Sequence, residues 1–202
     1  SFSLGNYRFD AGPSLFTLPH LVTETLELAD NPVEFPFVKL DRSCHYFWND
    51  GTQLIAWFDK EKLAQEISSQ LGVDPSPTLK HLEHSKKIYE ATSKLFLEKS
   101  LHKLSTYFSK DVLKAMASLP QLALGKSMNE VNQDGLNHPK LVQLFNRYAT
   151  YNGSNPFVAP GVLHTIPHLE HNIGTFLPMN GMVQISNALH QTAINPGVKF
   201  HF

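Results

Sequence analysis

The sequence predicts an α+β fold, on three observations. Two strand-like ends flank a helical middle, and the hydrophobic period changes near Asp59. A second change past Asn152 returns the chain to loop and strand character. Glu34–Leu40 and Cys44–Trp48 are rich in the aromatic and β-branched residues that pack well on a pleated surface. Asn49-Asp50-Gly51 then supplies a tight-turn signal, and Thr52–Phe58 resumes as strand, so 44–58 is the clearest predicted hairpin. From Asp59, Leu63, Ile67 and Leu71 recur every four residues and share one helix face. Gly72 and Asp74-Pro75 end that helix.

The remaining elements follow the same cues. Asn6–Phe9 reads as strand and Gly12-Pro13 as a tight bend, with a new apolar-periodic segment from Ser14. Ser76-Pro77 reads as a cap and first-turn pair opening a long helix that buries Leu79, Leu82, Ile88, Leu95 and Phe96. Ser109 caps a short helix containing Val112, Leu113 and Met116. His138-Pro139 opens another, with Leu141, Val142, Leu144, Phe145 and Tyr148 on its buried face. Asn152–Pro156 is loop, and Pro160 and Pro167 prevent Ala159–Leu169 from being one straight helix. Ile173–Leu177 reads as strand, Met182–Leu189 as helix ending near Asn195-Pro196-Gly197, and Val198–Phe202 as strand-like. The expectation is one domain over 1–202 with a helical insert at about 59–150.

Composition narrows the function. Seventeen basic against eighteen acidic residues leave no electrostatic footprint for nucleic acid. A single cysteine, Cys44, forms no internal disulfide framework and agrees with a reducing, cytoplasmic compartment. Fourteen phenylalanines suit a large apolar core or a greasy cavity. No two glycines lie closer than the seven positions of Gly5/Gly12 and Gly174/Gly181. That spacing excludes both a G-x-G-x-x-G dinucleotide loop and a phosphate-binding P-loop. Nor does the sequence contain a G-x-S-x-G nucleophile elbow.

Two clusters invite chemistry. His164 and His168 are four apart, with Glu170 and His171 following, a spacing that could present imidazoles to a metal on one helix face. Pro167 interrupts that helix, and a polar loop-to-helix segment accounts for the cluster, so no metal is assigned. Arg8 and Asp10 alternate with Tyr7 and Phe9 and point to the other face of a strand, which an exposed strand face explains.

Together, two separated segments resemble one known family. Phe9-Asp10-Ala11-Gly12-Pro13-Ser14-Leu15, with Pro19 beyond, is similar to the motif after the first FAD-binding segment of bacterial phytoene desaturases. Tyr151–Phe157, Ala159-Pro160, Ile166-Pro167-His168-Leu169-Glu170, Gly174, Pro178, Gly181-Met182 and Ala188-Leu189 resemble the stretch before that family's chain returns to its flavin domain. Asn180 stands where the family usually has a second glycine. The resemblance covers both ends well and about 60–135 poorly.

It implies the carotenoid desaturase and retinol saturase group of FAD-dependent, amine-oxidase-like flavoproteins. The fold implied is a substrate domain of mixed or antiparallel sheet flanked by a helical subdomain, beside an FAD-binding Rossmann-type domain whose motifs this chain lacks. The implied activity is hydride transfer from a carotenoid-like polyene such as phytoene to flavin, with the polyene held by apolar surface. Gly12 and Pro13 are then expected near the flavin ring. Asp10 is the one nearby carboxylate to test, as structural anchor ahead of proton acceptor. By this reading the chain is an internal segment that alone is colourless, inactive and free of FAD, and the whole enzyme touches membranes peripherally. Two other readings stay open: a non-catalytic hydrophobic-ligand or interaction domain, and a related FAD amine oxidase.

Overall fold

The computed structural model describes residues 1–98, 122–123, 125–194 and 196–201, with side chains omitted over 94–98. The predicted helix at Ser109 and the side chains of Leu95 and Phe96 lie outside the described residues. Contacts divide the chain into two compact units, Ser1–Ser43 with Ile173–Phe202, and Cys44–Asn172. The helical insert expected at 59–150 falls within the second.

In the first unit, β1 (Phe2–Leu4) and β2 (Tyr7–Phe9) pair antiparallel, with Phe2 opposite Phe9. Gly5 makes the turn between them at φ +58°, in the left-handed region that glycine enters without penalty. α1 (His20–Leu26) starts at Pro19 without a side-chain cap and buries Leu26. β3 (Phe37–Lys39) pairs antiparallel with a strand from the far end of the chain. Phe16, Leu26, Phe35 and Ala188 form the core, with Phe37 and Phe176 packed against it. Edge-to-face contacts at 5.6–6.5 Å join the rings of Phe16, Phe35, Phe37 and Phe176. Much of the phenylalanine enrichment here is therefore ordinary core.

The second unit takes up the chain within β4 (Arg42–Phe47), which forms a hairpin with β5 (Gln53–Trp57). Gly51 turns it at φ +84°, and Trp48 N–H closes the loop on Thr52 O at 3.0 Å. α2 (Lys60–Leu71) is capped by Asp59, whose side chain accepts Lys62 N–H at 2.8 Å, and ends at left-handed Gly72. It buries Leu63 and Ile67, the face its spacing predicts. α3 (Ser76–Glu98) begins one residue earlier than the sequence implies. Asp74, not Ser76, supplies the capping oxygen, accepting Ser76 N–H at 2.9 Å. α4 (Met128–Gly135) carries a reciprocal capping box between Ser127 and Glu130. α5 (Pro139–Asn146) has His138 as its cap and buries Leu141, Leu144 and Phe145. These faces converge on one core with Leu54, Leu82 and Tyr148 at its centre.

The chain then returns to the first unit. β6 (Phe176–Pro178) completes the pair with β3, and α6 (Val183–Ile194) follows. Gly197, at φ +92°, closes α6, and Val198 N–H bonds back to Ala193 O. Residues 198–201 form no strand, contrary to expectation. Strand propensity alone does not make a ladder, and the Phe200 ring packs on His190 instead, with centroids 4.4 Å apart. The described strands thus form three two-stranded sheets. Among the described residues, no helix is long and apolar enough to cross a membrane.

Candidate functional site

Asp10, Gly12 and Pro13 lie where β2 ends in the first unit. Arg8 Nη1 stands 3.4 Å from Asp10 Oδ1, and Met182 N–H donates to Asp10 Oδ2 at 3.0 Å. Asp10 thereby occupies a main-chain donor at the entrance to α6, where a carboxylate also complements the positive end of the helix. Gly181 makes this approach possible. It sits at φ +92°, and a Cβ there would fall 2.5 Å from the Arg8 guanidinium and 2.7 Å from Asp10 Oδ2. Residues 172 positions apart in sequence are thus joined, and both belong to the segments that carry the resemblance. Asn180 takes φ +67°, so the left-handed backbone persists there with an amide side chain added.

Gly12 and Pro13 are exposed, and nothing lies within 4 Å of where a Gly12 Cβ would stand. This open main chain fits contact with one face of a flat ring such as flavin. The chain's glycine spacing provides no pyrophosphate-binding loop, so none of these residues is assigned to the phosphates of a dinucleotide.

The histidine-rich segment builds a separate site within the second unit. Gly161–Thr165 is a 3-10 turn, Ile166–His168 a single α turn and Leu169–Ile173 a π turn. Pro167 occupies the start of the α turn, where its missing N–H leaves no helical hydrogen bond unmade. The wide π turn then brings two consecutive residues, Glu170 and His171, into the interior.

Glu170 is 1% exposed and is surrounded by donors. Arg147 Nη2 reaches its two oxygens at 2.9 and 3.2 Å, Tyr148 Oη donates at 3.1 Å, and Tyr151 Oη makes a fourth bond. Arg147 also donates from Nε to Tyr46 Oη at 2.7 Å, and its guanidinium lies over the Tyr148 ring. Burial, then the Glu170 charge, pushes the Tyr148 phenol well above its usual range. Tyr151 is raised by burial and by its bond to Glu170. His171, 2.7 Å from Tyr148 Oη, is depressed to about 4 by burial, which outweighs the nearby carboxylate. Four hydrogen bonds from three side chains thus hold the buried Glu170 carboxylate in place.

His81, His164 and His168 also make hydrogen bonds, while His164 Nδ1 is buried without one. His81 Nε2 meets Asn132 Oδ1 at 2.9 Å, and Asn132 continues through Asn146 to Asn129 at 2.8 Å per step. His164 Nε2 donates to His81 O at 3.1 Å, with the two rings 3.8 Å apart. Ser85 Oγ donates to His164 O and accepts His168 N–H, and Asn172 Nδ2 donates to His168 Nδ1. Burial depresses His81 to about 4 and takes His164 well below the usual range. Among the described residues, no three His, Cys, Asp or Glu side chains are arranged to hold a metal. Cys44 is half-buried on β4. The sequence brings Glu170 to notice only beside histidines. Its true partners, Arg147, Tyr148 and Tyr151, come from another element, and Tyr46 joins through Arg147; nothing local links them to Glu170.

No protein-family model matches the chain. It is 47% identical along its whole length to the 1-hydroxycarotenoid 3,4-desaturase of Flavobacterium sp. (strain P99-3), covering 41% of that protein. It is 27% identical over 96% of its length to the hydroxyneurosporene desaturase of Rhodobacter capsulatus, covering 39% of it. A similar match, 25% identical over 96% of the chain and 39% of the relative, is the 4,4'-diapolycopene oxygenase of Methylomonas sp. The chain spans about two fifths of the length of these relatives. Along nearly its whole length the chain is similar to part of several carotenoid desaturases and oxygenases.

Proposed function

We propose that this chain is the substrate-side portion of an FAD-dependent oxidoreductase that desaturates a carotenoid polyene. The observation that carries this reading is the 47% identity, along the whole chain, to a 1-hydroxycarotenoid 3,4-desaturase. When bound, FAD supplies hydride-accepting chemistry that no amino-acid side chain offers. The chain's own residues have three tasks. Asp10 anchors the Gly181-Met182 turn, which fixes the course of the main chain where the two resembling segments meet. Gly12 and Pro13 present a surface without bulky side chains on which a flat ring can rest. Apolar side chains hold a substrate that has almost no polar handles.

The substrate partitions into lipid, so the whole protein works in contact with a membrane surface. A second reading has its own support. Fourteen of the seventeen large apolar residues exposed among the described residues belong to the first unit, which suits a hydrophobic-ligand or interaction domain without chemistry.

The deciding experiment expresses the whole protein in a bacterial host that accumulates acyclic and 1-hydroxylated carotenoids. Its pigments are then separated by chromatography with absorbance detection. Desaturation lengthens the polyene and moves its absorbance to longer wavelength, with stoichiometric flavin bound to the purified protein. Unchanged pigments that co-purify with the protein favour the binding-domain reading. Unchanged pigments with no binding overturn both. The 202-residue chain alone is expected to purify colourless, and stoichiometric flavin absorbance in it would contradict the division of labour proposed here.

A further inference from the structure

The chain passes between its two units twice, at Ser43–Cys44 and at Asn172–Ile173. Neither passage is a loop. β4 runs through the first, and the π turn Leu169–Ile173 runs through the second. Regular backbone at both passages leaves few angles there to absorb a change of direction. Just beyond the second passage, Gly174 takes φ +113°, which side chains other than hydrogen rarely allow. The Lys39 stem lies across it, with Cε 2.5 Å from where a Cβ would stand.

Each unit ties the incoming and outgoing stretches together by its own means. In the first unit the tie is backbone. Lys39 of β3 stands opposite Phe176 of β6, and Leu40 N–H donates to Thr175 O at 2.9 Å. In the second unit the tie is one side chain. Arg147, which opens the 3-10 turn Arg147–Asn152, donates from Nε to Tyr46 Oη at 2.7 Å. Its Nη2 reaches Glu170 at 2.9 and 3.2 Å. Tyr46 belongs to β4, on the way in, and Glu170 to the π turn, on the way out. The guanidinium is rigid and planar, so acceptors on two of its nitrogens are held at a fixed separation. Glu170 is 1% exposed and Arg147 25%, so salt screens this bridge little. The two ties bracket both passages. Two stretches of chain pinned side by side at two levels form a ribbon, which bends about one axis and resists twisting and spreading. Released at one level, they swivel.

We propose that Arg147 is the clasp of a two-stranded hinge: it holds the incoming strand at Tyr46 to the outgoing turn at Glu170 and so limits the swing of one unit on the other. This role is independent of the reaction the protein performs. It also accounts for an arginine at this position, because a lysine ammonium would answer the Glu170 charge and leave Tyr46 unheld.

The test measures distances between pairs of spin labels in the full chain by double electron–electron resonance. Labels at Leu28→Cys and Gln70→Cys, both exposed, place one on each unit and read the swing. Labels at Gln70→Cys and Val158→Cys, both in the second unit, read the looseness of that unit itself. Cys44→Ala removes the native thiol from every sample, the clasped parent included. Arg147→Lys opens the clasp, and Tyr46→Phe deletes only the acceptor oxygen while keeping the ring, so it tests the clasp even where Arg147→Lys fails to fold. The expected result is a distance distribution between the units about twofold broader in both variants than in the parent, with the distribution inside the second unit unchanged. A distribution between the units in Tyr46→Phe as narrow as the parent's overturns the clasp, whatever Arg147→Lys shows. Equal broadening of the pair inside the second unit also overturns it, since Arg147 would then stiffen that unit alone.

Discussion

Among the described residues, the unit formed by Cys44–Asn172 buries thirteen apolar residues in one cluster, whereas the unit formed by Ser1–Ser43 and Ile173–Phe202 buries four in its own. The larger cluster surrounds a charged and hydrogen-bonded interior centred on Glu170. The smaller leaves Phe2, Leu4, Tyr7 and Phe9 of its first hairpin all exposed. Ionisable groups can be buried in the second unit because enough apolar contact offsets their desolvation and each is met by a partner. In the first unit, stability rests on a few phenylalanines and on side-chain-to-backbone ties such as that of Asp10. The apolar surface it keeps outside is suited to a greasy partner or ligand. One unit is organised for rigidity, the other for contact.

Acid separates the two most sharply. His81 and His171 lie in the second unit with values near 4, below the ordinary 6.5 of an unfolded chain. The unfolded state therefore binds more protons between these values, and stability falls as pH drops through that window. It is fully present above about 6.5, and each histidine has withdrawn roughly 3 kcal/mol by pH 4. Urea unfolding followed by tryptophan fluorescence, which reports Trp48 and Trp57 of the second unit, should show the midpoint dropping between pH 7 and 4.5. A flat midpoint across that range would mean these imidazoles are not held neutral.

Next in size is the buried ion pair. Glu170→Ala leaves the Arg147 guanidinium without its carboxylate, at a cost of about 3–5 kcal/mol, while Glu170→Gln keeps an acceptor and should cost less. Thermal melts rank the variants. Equal melting of wild type and Glu170→Ala would remove the network from the account of the unit's rigidity.

Smaller effects belong to the first unit. Gly181→Ala forces a Cβ toward Arg8 and Asp10 at a positive φ, for roughly 1–3 kcal/mol. Asp10→Ala loses the tie to Met182 N–H and the exposed contact with Arg8, for about 1 kcal/mol. Amide hydrogen exchange at Met182 reads both, and protection there undiminished in Asp10→Ala would detach Asp10 from its anchoring role.

Local elements were legible wherever a short-range rule decides the backbone. The 44–58 hairpin follows its Asn-Asp-Gly turn, α2 follows its four-residue spacing and Gly72 stop, and α5 follows His138-Pro139. The start of α3 shifts by one because Asp74 competes with Ser76 for the cap. The tail at 198–201 was misread because strand formation needs a partner, which no local pattern supplies. The capping box at Ser127–Glu130 carried a readable signal, Ser followed three residues later by Glu.

From the sequence alone came the elements, the absence of a dinucleotide loop, and the resemblance carried by Asp10-Ala11-Gly12-Pro13 and Ile166–Glu170, since these depend on residue type and spacing. Tertiary structure alone decided that Asp10 meets Met182 and that Glu170 answers to Arg147 and two tyrosines rather than to its neighbouring histidines. Each of those is a meeting of residues from separate elements. Burial and hydrogen-bond satisfaction are properties of the folded chain as a whole, and local periodicity does not encode them.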